Sequence, residues 1–289
     1  MKDVLAASRP FSWINTAYPF AAGYLVATGG RVDLALVVGT LYFLVPYNLL
    51  MYGVNDVFDY ASDLRNPRKG GIEGALADPA TARVTHRRIL RACVATNVPF
   101  LVALLLLGDP LAGAVLALVV FGVVAYSAPR LRFKERPFLD SFTSAMHFAG
   151  PLLYALVLVD ADLSARAVWP VLVGFVLWGM ASHAFGAVQD VRADREGGIA
   201  SVATAIGAHA TVLAAAAAYV GARPERARLP RPAALAAQLP RPYAVNVLRF
   251  RDVRDDDCER ANAGWRAFLW LNLVTGFLVT MLLLADALT

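Results

Sequence analysis

Residues Leu34 to Gly71 read LALVVGTLYFLVPYNLLMYGVNDVFDYASDLRNPRKGG. The run 34–54 is apolar over about the 20 residues that a membrane-crossing helix needs, and it ends against Asn55, Asp56, Asp59 and Asp63. On a helix continuing from that run, Asn55, Asp59 and Asp63 are spaced by four and share one face, with Asp56 beside them. Like charges so arranged repel one another. They are tolerated when something positive sits among them, and magnesium, which takes a few carboxylates plus phosphate oxygens and keeps waters, suits such a group. A single acidic cluster at a membrane boundary is equally consistent with a solvated helix end.

The rest of the chain extends this pattern. Its 289 residues are 58% hydrophobic and only 17% charged, with a mean hydropathy of +0.54, which is too apolar for an ordinary soluble domain. The expected fold is all-α: a polytopic membrane protein of about nine transmembrane helices, forming a single domain over residues 1–289. The spans are expected at 11–29, 34–54, 92–108, 110–127, 139–159, 167–188, 205–221, 233–248 and 264–285. A β-barrel would show strands of alternating hydrophobicity, whereas LVALLLLG and LAGAVLALVVFGVVAYS are apolar on every face. Lys and Arg number 27 and the net charge is +5, yet the cations punctuate hydrophobic runs and form no basic face for nucleic acid. With the N-terminus inside, nineteen of the 27 fall in the inner joints and tail, which orients the chain in a cell membrane with both acidic motifs on the cytoplasmic side. The N-terminal residues lack the charge and cleavage order of a signal peptide and are expected to form a retained first helix. Cys93 and Cys258 have no CxxC spacing and indicate neither a metal centre nor a disulfide framework.

A second acidic group follows the sixth span. Gln189, Asp190 and Asp194 in QDVRADREGG repeat the order of polar residue, aspartate, three residues, aspartate, and fall on the same expected membrane face. Two carboxylate sets at inner helix ends describe a box able to hold a diphosphate through bridging metal ions. Cations follow: Arg65, Arg68 and Lys69 after the first set, and Arg130, Arg132, Lys134 and Arg136 in YSAPRLRFKERP. Arginine forks and lysine point charges suit phosphate oxygens, although positive charge on this face also serves orientation alone. Gly70, Gly71, Gly197 and Gly198 either allow backbone approach to phosphate or only end helices.

NDVFDYASD and DVRAD resemble the NDxxDxxxD and DxxxD signatures of the UbiA-type intramembrane prenyltransferases. RPFSWINTAYPFAAGYL resembles that family's opening helix, and YSAPRLRFK its tyrosine and basic motif. Within the family, NDVFDYASDLRNPRKGGIEGA, QDVRADREGGIASVATAIGA and NAGWRAFLWLNLVTGFLVTMLL are similar to the lycopene elongase branch, which makes fifty-carbon carotenoids. The resemblance implies helices around a central lipid-accessible cavity. It implies magnesium held by Asn55, Asp56, Asp59, Asp63, Asp190 and Asp194, and an allylic diphosphate, dimethylallyl diphosphate, as donor. Asn55, Arg68, Lys69, Tyr126, Arg130 and Lys134 would then contact the diphosphate or prenyl group. Lycopene would be the acceptor, entering from the membrane lipids. Tyr126, Phe58, Tyr60 and Phe185 are candidate walls for an allylic cation. Glu73, Asp140, His147 and His183 are polar residues near inner helix ends, none assigned as a base. The rival readings are another acceptor (a quinone precursor, a glycerol phosphate ether lipid or a chlorophyll-type alcohol) and a cation transporter using the same acidic motifs.

Overall fold

The computed structural model describes residues 2–60, 64, 77–166, 168–222 and 233–287. Among them there is no strand, and six stretches are long and apolar enough to cross a membrane: Leu34–Phe58, Ala82–Leu107, Pro110–Ser127, Leu139–Leu158, Val168–Val188 and Cys258–Ala285. The chain divides into two compact units, one comprising residues 1–133 and 146–161, the other residues 134–145 and 162–289.

The first unit begins with a short helix α1 (Lys2–Ala7) and then α2 (Trp13–Thr28), closed by Gly29 in the left-handed conformation at φ 64°, where a side chain would be strained. Helix α3 (Leu34–Leu44) is started by the Asp33 carboxylate, which accepts from the Leu36 amide at 3.1 Å. The expected unbroken span over 34–54 is interrupted at Val45, and α4 (Pro46–Phe58) starts anew with proline in its first turn, the one place where a missing N–H costs nothing. Side chains bond the carbonyls on both sides of the break. Asn48 Nδ2 donates to Phe43 O at 2.8 Å and Leu44 O at 3.1 Å, Thr16 Oγ1 to Phe43 O at 2.6 Å, and Asn97 Nδ2 to Pro46 O at 2.8 Å. Helices α2 and α3 meet closely: a Cβ on Gly39 would lie 2.0 Å from the Phe20 ring.

Helix α5 (Ala82–Leu107) starts ten residues earlier than the expected 92, so Arg83, Arg87 and Arg88 ride a helix end and not a loop. The residues between α5 and α6 (Pro110–Ser127) are set by Asp109, which accepts from the Ala112 amide at 2.7 Å with Pro110 in the first turn. Helix α7 (Leu139–Leu158) contributes its C-terminal part to this unit, where Phe20, Phe43 and Tyr154 form an aromatic cluster.

In the second unit, α8 (Val168–Val188) leads into the short helices α9 (Val191–Glu196) and α10 (Val202–Ile206), then α11 (Ala208–Gly221). The alanine run at 214–218 serves helix packing in part, with Ala215 and Ala216 buried in the core. The expected span over 233–248 is replaced by a 3-10 turn, Ala233–Gln238, and an eight-residue helix α12 (Arg241–Leu248). The physical reason is the PRP of Pro240 to Pro242, which fits the first turn of a new helix and would break the middle of an old one. The fourteen residues of α11 and sixteen of α2 also fall short of the length that crosses about 30 Å. The chain closes with α13 (Asn262–Ala287). The arginine-rich linker at 223–232 lies outside the described residues.

Candidate metal and diphosphate site

The first acidic motif occupies the C-terminal end of α4, where the helix dipole disfavours carboxylates. Asp56 and Asp59 are nonetheless buried, 7% and 3% exposed, and burying charge requires compensation. Two distant arginines supply it. Arg9 Nη2 meets Asp56 Oδ1 at 2.5 Å, its guanidinium lying 4.9 Å from the centre of the Tyr52 ring, one turn back on the same helix. Arg132 Nη2 lies 3.5 Å from Asp59 Oδ1. Both arginines adopt left-handed backbone, φ 51° for Arg9 and 40° for Arg132, a conformation costing about 1–3 kcal/mol in a non-glycine residue and found where surroundings enforce it. Asn55 donates from Nδ2 to Ser127 Oγ at 3.0 Å, which leaves its Oδ1 on the other branch of the amide. Asp63, Arg68, Lys69 and Glu73, with the glycines at 70 and 71, lie outside the described residues.

Around this motif, Tyr126 sits near the C-terminal end of α6 with its ring edge-on to His147, centroids 5.0 Å apart. His147 is buried, and its carbonyl accepts from Tyr47 Oη at 3.2 Å. Arg130 is exposed, with φ 73°, in the turn that aims Arg132 at Asp59. Tyr60 donates to Ala77 O at 2.9 Å and stands edge-on to His86, and Phe58 is partly exposed, at 37%.

The second motif lies where α8 ends. Asp190 precedes α9 without capping it through its side chain, and Asp194 is in the first turn of α9; both are half-buried. Gln189 occupies the place that Asn55 has in the first motif, but its amide is engaged within the fold. Nε2 donates to Gly186 O at 2.9 Å and Oε1 accepts from Asn262 Nδ2 at 2.6 Å. Lys134 is half-buried in the 3-10 turn Phe133–Glu135.

One sequence expectation changes here, and two further residues take structural places. Phe185 is 1% exposed within the core of the second unit, so it is packing and not a wall for a cation. Cys258, in the charged stretch between α12 and α13, is fully buried, with its thiol 3.6 Å from Gln189 O. Asp140 is fully buried and accepts from the Ser141 and Val202 amides, each at 2.7 Å, with His183 Nε2 at 3.7 Å; it holds the start of α10. The roles of Arg9, Glu259 and Asn262 carried no sequence signal, because each acts on a motif at least 47 residues away in the chain.

Among the described residues no group of three or more His, Cys, Asp or Glu side chains gathers at one point. The donor chemistry still fits magnesium: each motif offers carboxylate oxygens, with an amide oxygen at Asn55 and no thiolate or imidazole cluster, which is the hard oxygen set that magnesium takes. Asp56 and Asp59 hold buried carboxylates, each met in this structure by an arginine, Arg9 and Arg132.

Comparison with known proteins gives this arrangement a context. A family model described as "UbiA prenyltransferase family" matches residues 16–282. The "C(50) beta-cyclic carotenoids biosynthesis protein LbtBC" of a Dietzia species is 53% identical over 96% of this chain, and the chain spans 63% of that protein's length. The "Lycopene elongase/hydratase" of Corynebacterium glutamicum is 46% identical over 98% of this chain and 96% of its own. Among solved structures, a UbiA homolog from Archaeoglobus fulgidus bound to GPP and Mg2+ superposes with a TM-score of 0.66 at 14% identity, covering 94% of this chain and 99% of that one.

Proposed function

Because the chain belongs to the UbiA prenyltransferase family, and is thereby an integral membrane protein, we propose that it is a lycopene elongase of fifty-carbon carotenoid synthesis. The donor is an allylic diphosphate, dimethylallyl diphosphate. The observation that carries the reading is the pair of buried carboxylates, Asp56 and Asp59, in a chain 46% identical to a protein named lycopene elongase/hydratase over nearly all of both lengths.

Asn55, Asp56, Asp59 and Asp63 of the first motif and Asp190 and Asp194 of the second would hold magnesium. When bound, that metal supplies positive charge that lets diphosphate depart. Arg68, Lys69, Arg130 and Lys134 bind phosphate oxygens and stabilise the leaving group, the usual gain from charges fixed in advance where charge develops. The carbon–oxygen bond of the donor breaks with its electron pair leaving on the diphosphate, and the allylic cation takes electrons from a terminal alkene of lycopene. Tyr126 presents an aromatic face that favours the cation. The new carbon–carbon bond leaves a tertiary cation, which loses a proton or captures water to give an alcohol. Lycopene reaches the site from the lipid, where it is far more soluble than in water, and the diphosphate reaches it from the cytoplasm.

The test is expression in a lycopene-accumulating bacterial host, with pigments analysed by chromatography and mass spectrometry and Asp59→Asn as control. Pigments heavier by one or two five-carbon units, absent from the control, are expected, and added water reads directly from their masses. Unchanged lycopene with the protein confirmed in the membrane would overturn the acceptor assignment and point to a quinone precursor, an ether lipid or a chlorophyll-type alcohol.

A further inference from the structure

The second acidic motif is tied to one distant segment, residues 252–262, at several successive positions. Gln189 accepts from Asn262 through its side chain and from Cys258 through its backbone carbonyl. Arg192 donates to the Glu259 carboxylate and to Asp256 O at 3.4 Å. Arg195 meets Asp255 at 2.5 Å and Thr204 O at 3.0 Å. The other Asp255 oxygen accepts from the Ala208 amide at 2.7 Å, at the start of α11. Beneath these polar ties, Val191, Val253, Cys258 and Ala261 are buried in one core.

The ties differ in strength. Arg192, Glu259, Arg195 and Asp255 have side chains between 40% and 55% exposed, and exposed pairs contribute little. The amide bridge is different, because Gln189 is 7% exposed and both branches of its amide are committed. Its orientation follows from the network: the donor Asn262 Nδ2 requires an oxygen opposite, and Gly186 O requires a nitrogen. Asp190 therefore stands between two anchored neighbours, Gln189 in its hydrogen bonds and Val191 in the core, in the short joint between α8 and α9. Neither neighbour can rotate without breaking a buried contact, so the backbone that carries the Asp190 carboxylate is held by a segment some 70 residues later.

We propose that Asn262, acting through Gln189, is the positioning residue for Asp190, and that residues 252–262 form the brace that fixes where the second motif presents its carboxylates. The inference rests on the reading of Asp190 and Asp194 as metal-holding residues. It makes the two motifs unequal: Gln189 commits both branches of its amide to the fold, whereas the bond that Asn55 makes runs from its Nδ2 to Ser127.

The experiment measures Mn2+ binding in the presence of inorganic pyrophosphate, by electron paramagnetic resonance of free Mn2+, on the purified full chain in detergent. The unfolding midpoint is measured alongside without metal. Loss of a partner that orients a metal ligand typically weakens metal binding 10–100-fold, and that loss is expected for Asn262→Ala. Gln189→Asn and Asn262→Gln each misfit the bridge by one methylene and should weaken binding, whereas the double variant restores the combined reach and should recover it to within about threefold, the usual context spread for one interaction. If Asn262→Ala does not fold, Gln189→Asn and the double variant carry the same comparison. Unchanged Mn2+ binding in these variants, or a loss that only follows the lost folded fraction, would overturn the brace. A wild-type chain that binds no Mn2+ would overturn the metal reading together with it.

Discussion

Replacing Arg9 by alanine should destabilise the first unit more than any exposed-charge substitution, and magnesium should partly reverse the loss. Arg9 and Asp56 have side chains 13% and 7% exposed, with Nη2 and Oδ1 at 2.5 Å. Removing one partner of a buried pair leaves a charge without its counter-ion and typically costs about 3–5 kcal/mol; partial exposure of the guanidinium argues for the lower end. Arg9 also covers the Tyr52 ring, a contact worth about 0.5–2 kcal/mol that is lost in the same step. Asp56→Asn removes the charge but keeps the shape, so Arg9→Ala in that background should cost less than about half as much, because the buried charge that Arg9 balances there is gone. The assay is the unfolding midpoint in mixed micelles for the four members of this cycle, with and without magnesium. A cation bound at Asp56 replaces the charge that Arg9 supplied, so the metal should stabilise Arg9→Ala more than wild type. Equal losses for Arg9→Ala in both backgrounds, with no difference in response to metal, would refute the claim that Arg9 balances a buried carboxylate built to hold a cation.

Asp59→Asn and Asp190→Asn should each lower prenyl transfer more than about 100-fold, as loss of a charge used in the transition state does, while the protein remains folded in membranes; full activity in both would sink the metal assignment. Gly179→Val should lower folded yield sharply, since a Cβ there would lie 2.8 Å from Ala145 Cβ and 2.9 Å from its Cα, and overpacking costs about 1–3 kcal/mol or more where backbone must move. Asp255 is held below the ordinary carboxylate value of 3.8 by the Ala208 amide first and by Arg195, so its contribution to stability is complete above that value and is lost as pH falls through the lower folded one. Unfolding midpoints of wild type and Asp255→Asn should therefore converge at acid pH and separate toward neutrality, and parallel curves would show that Asp255 contributes nothing.

How much of this was legible in the sequence depends on the range of each interaction. Long apolar runs declare membrane helices locally, and four of the expected spans, 110–127, 139–159, 167–188 and 264–285, appear with helix ends within two residues of those expected. The misreadings are also physical. Pro46 was hidden inside a run whose hydropathy does not fall, and the Asn48 and Asn97 side chains that repair the break look like ordinary polar residues until the helices are assembled. Pro240 and Pro242 gave the opposite signal, overt helix breakers within a stretch still apolar enough to be taken for a span. At the site, the spacing of Asp56, Asp59, Asp190 and Asp194 was visible because motifs are local, whereas their counter-charges were not. Arg9 stood among residues read as a first helix, and nothing in its neighbours marks it as the partner of a carboxylate 47 positions later.

The fastenings follow a common chemical logic. Upstream of the first motif, the break at Val45 is secured by Asn48 and Asn97; at the second motif, Gln189 is secured by Asn262. All are amides. An amide supplies both a donor and an acceptor when buried and adds no net charge, so it can fix backbone near a metal site without shifting the electrostatic balance on which cation binding depends. A carboxylate in the same role would compete for the metal, and a lysine would oppose it. This predicts a sharp contrast at one position. Asn262→Asp keeps the size and removes the donor, placing negative charge against the Gln189 oxygen, so it should disturb Asp190 at least as much as Asn262→Ala. Asn97→Asp would likewise set a buried carboxylate against the Pro46 and Cys93 carbonyls that Asn97 now bonds, at a cost of at least about 1–3 kcal/mol for the buried polar group left without its partners, with folded yield and unfolding midpoint as the measures. Wild-type stability in Asn97→Asp would show that the break at Val45 is held by its other hydrogen bonds alone.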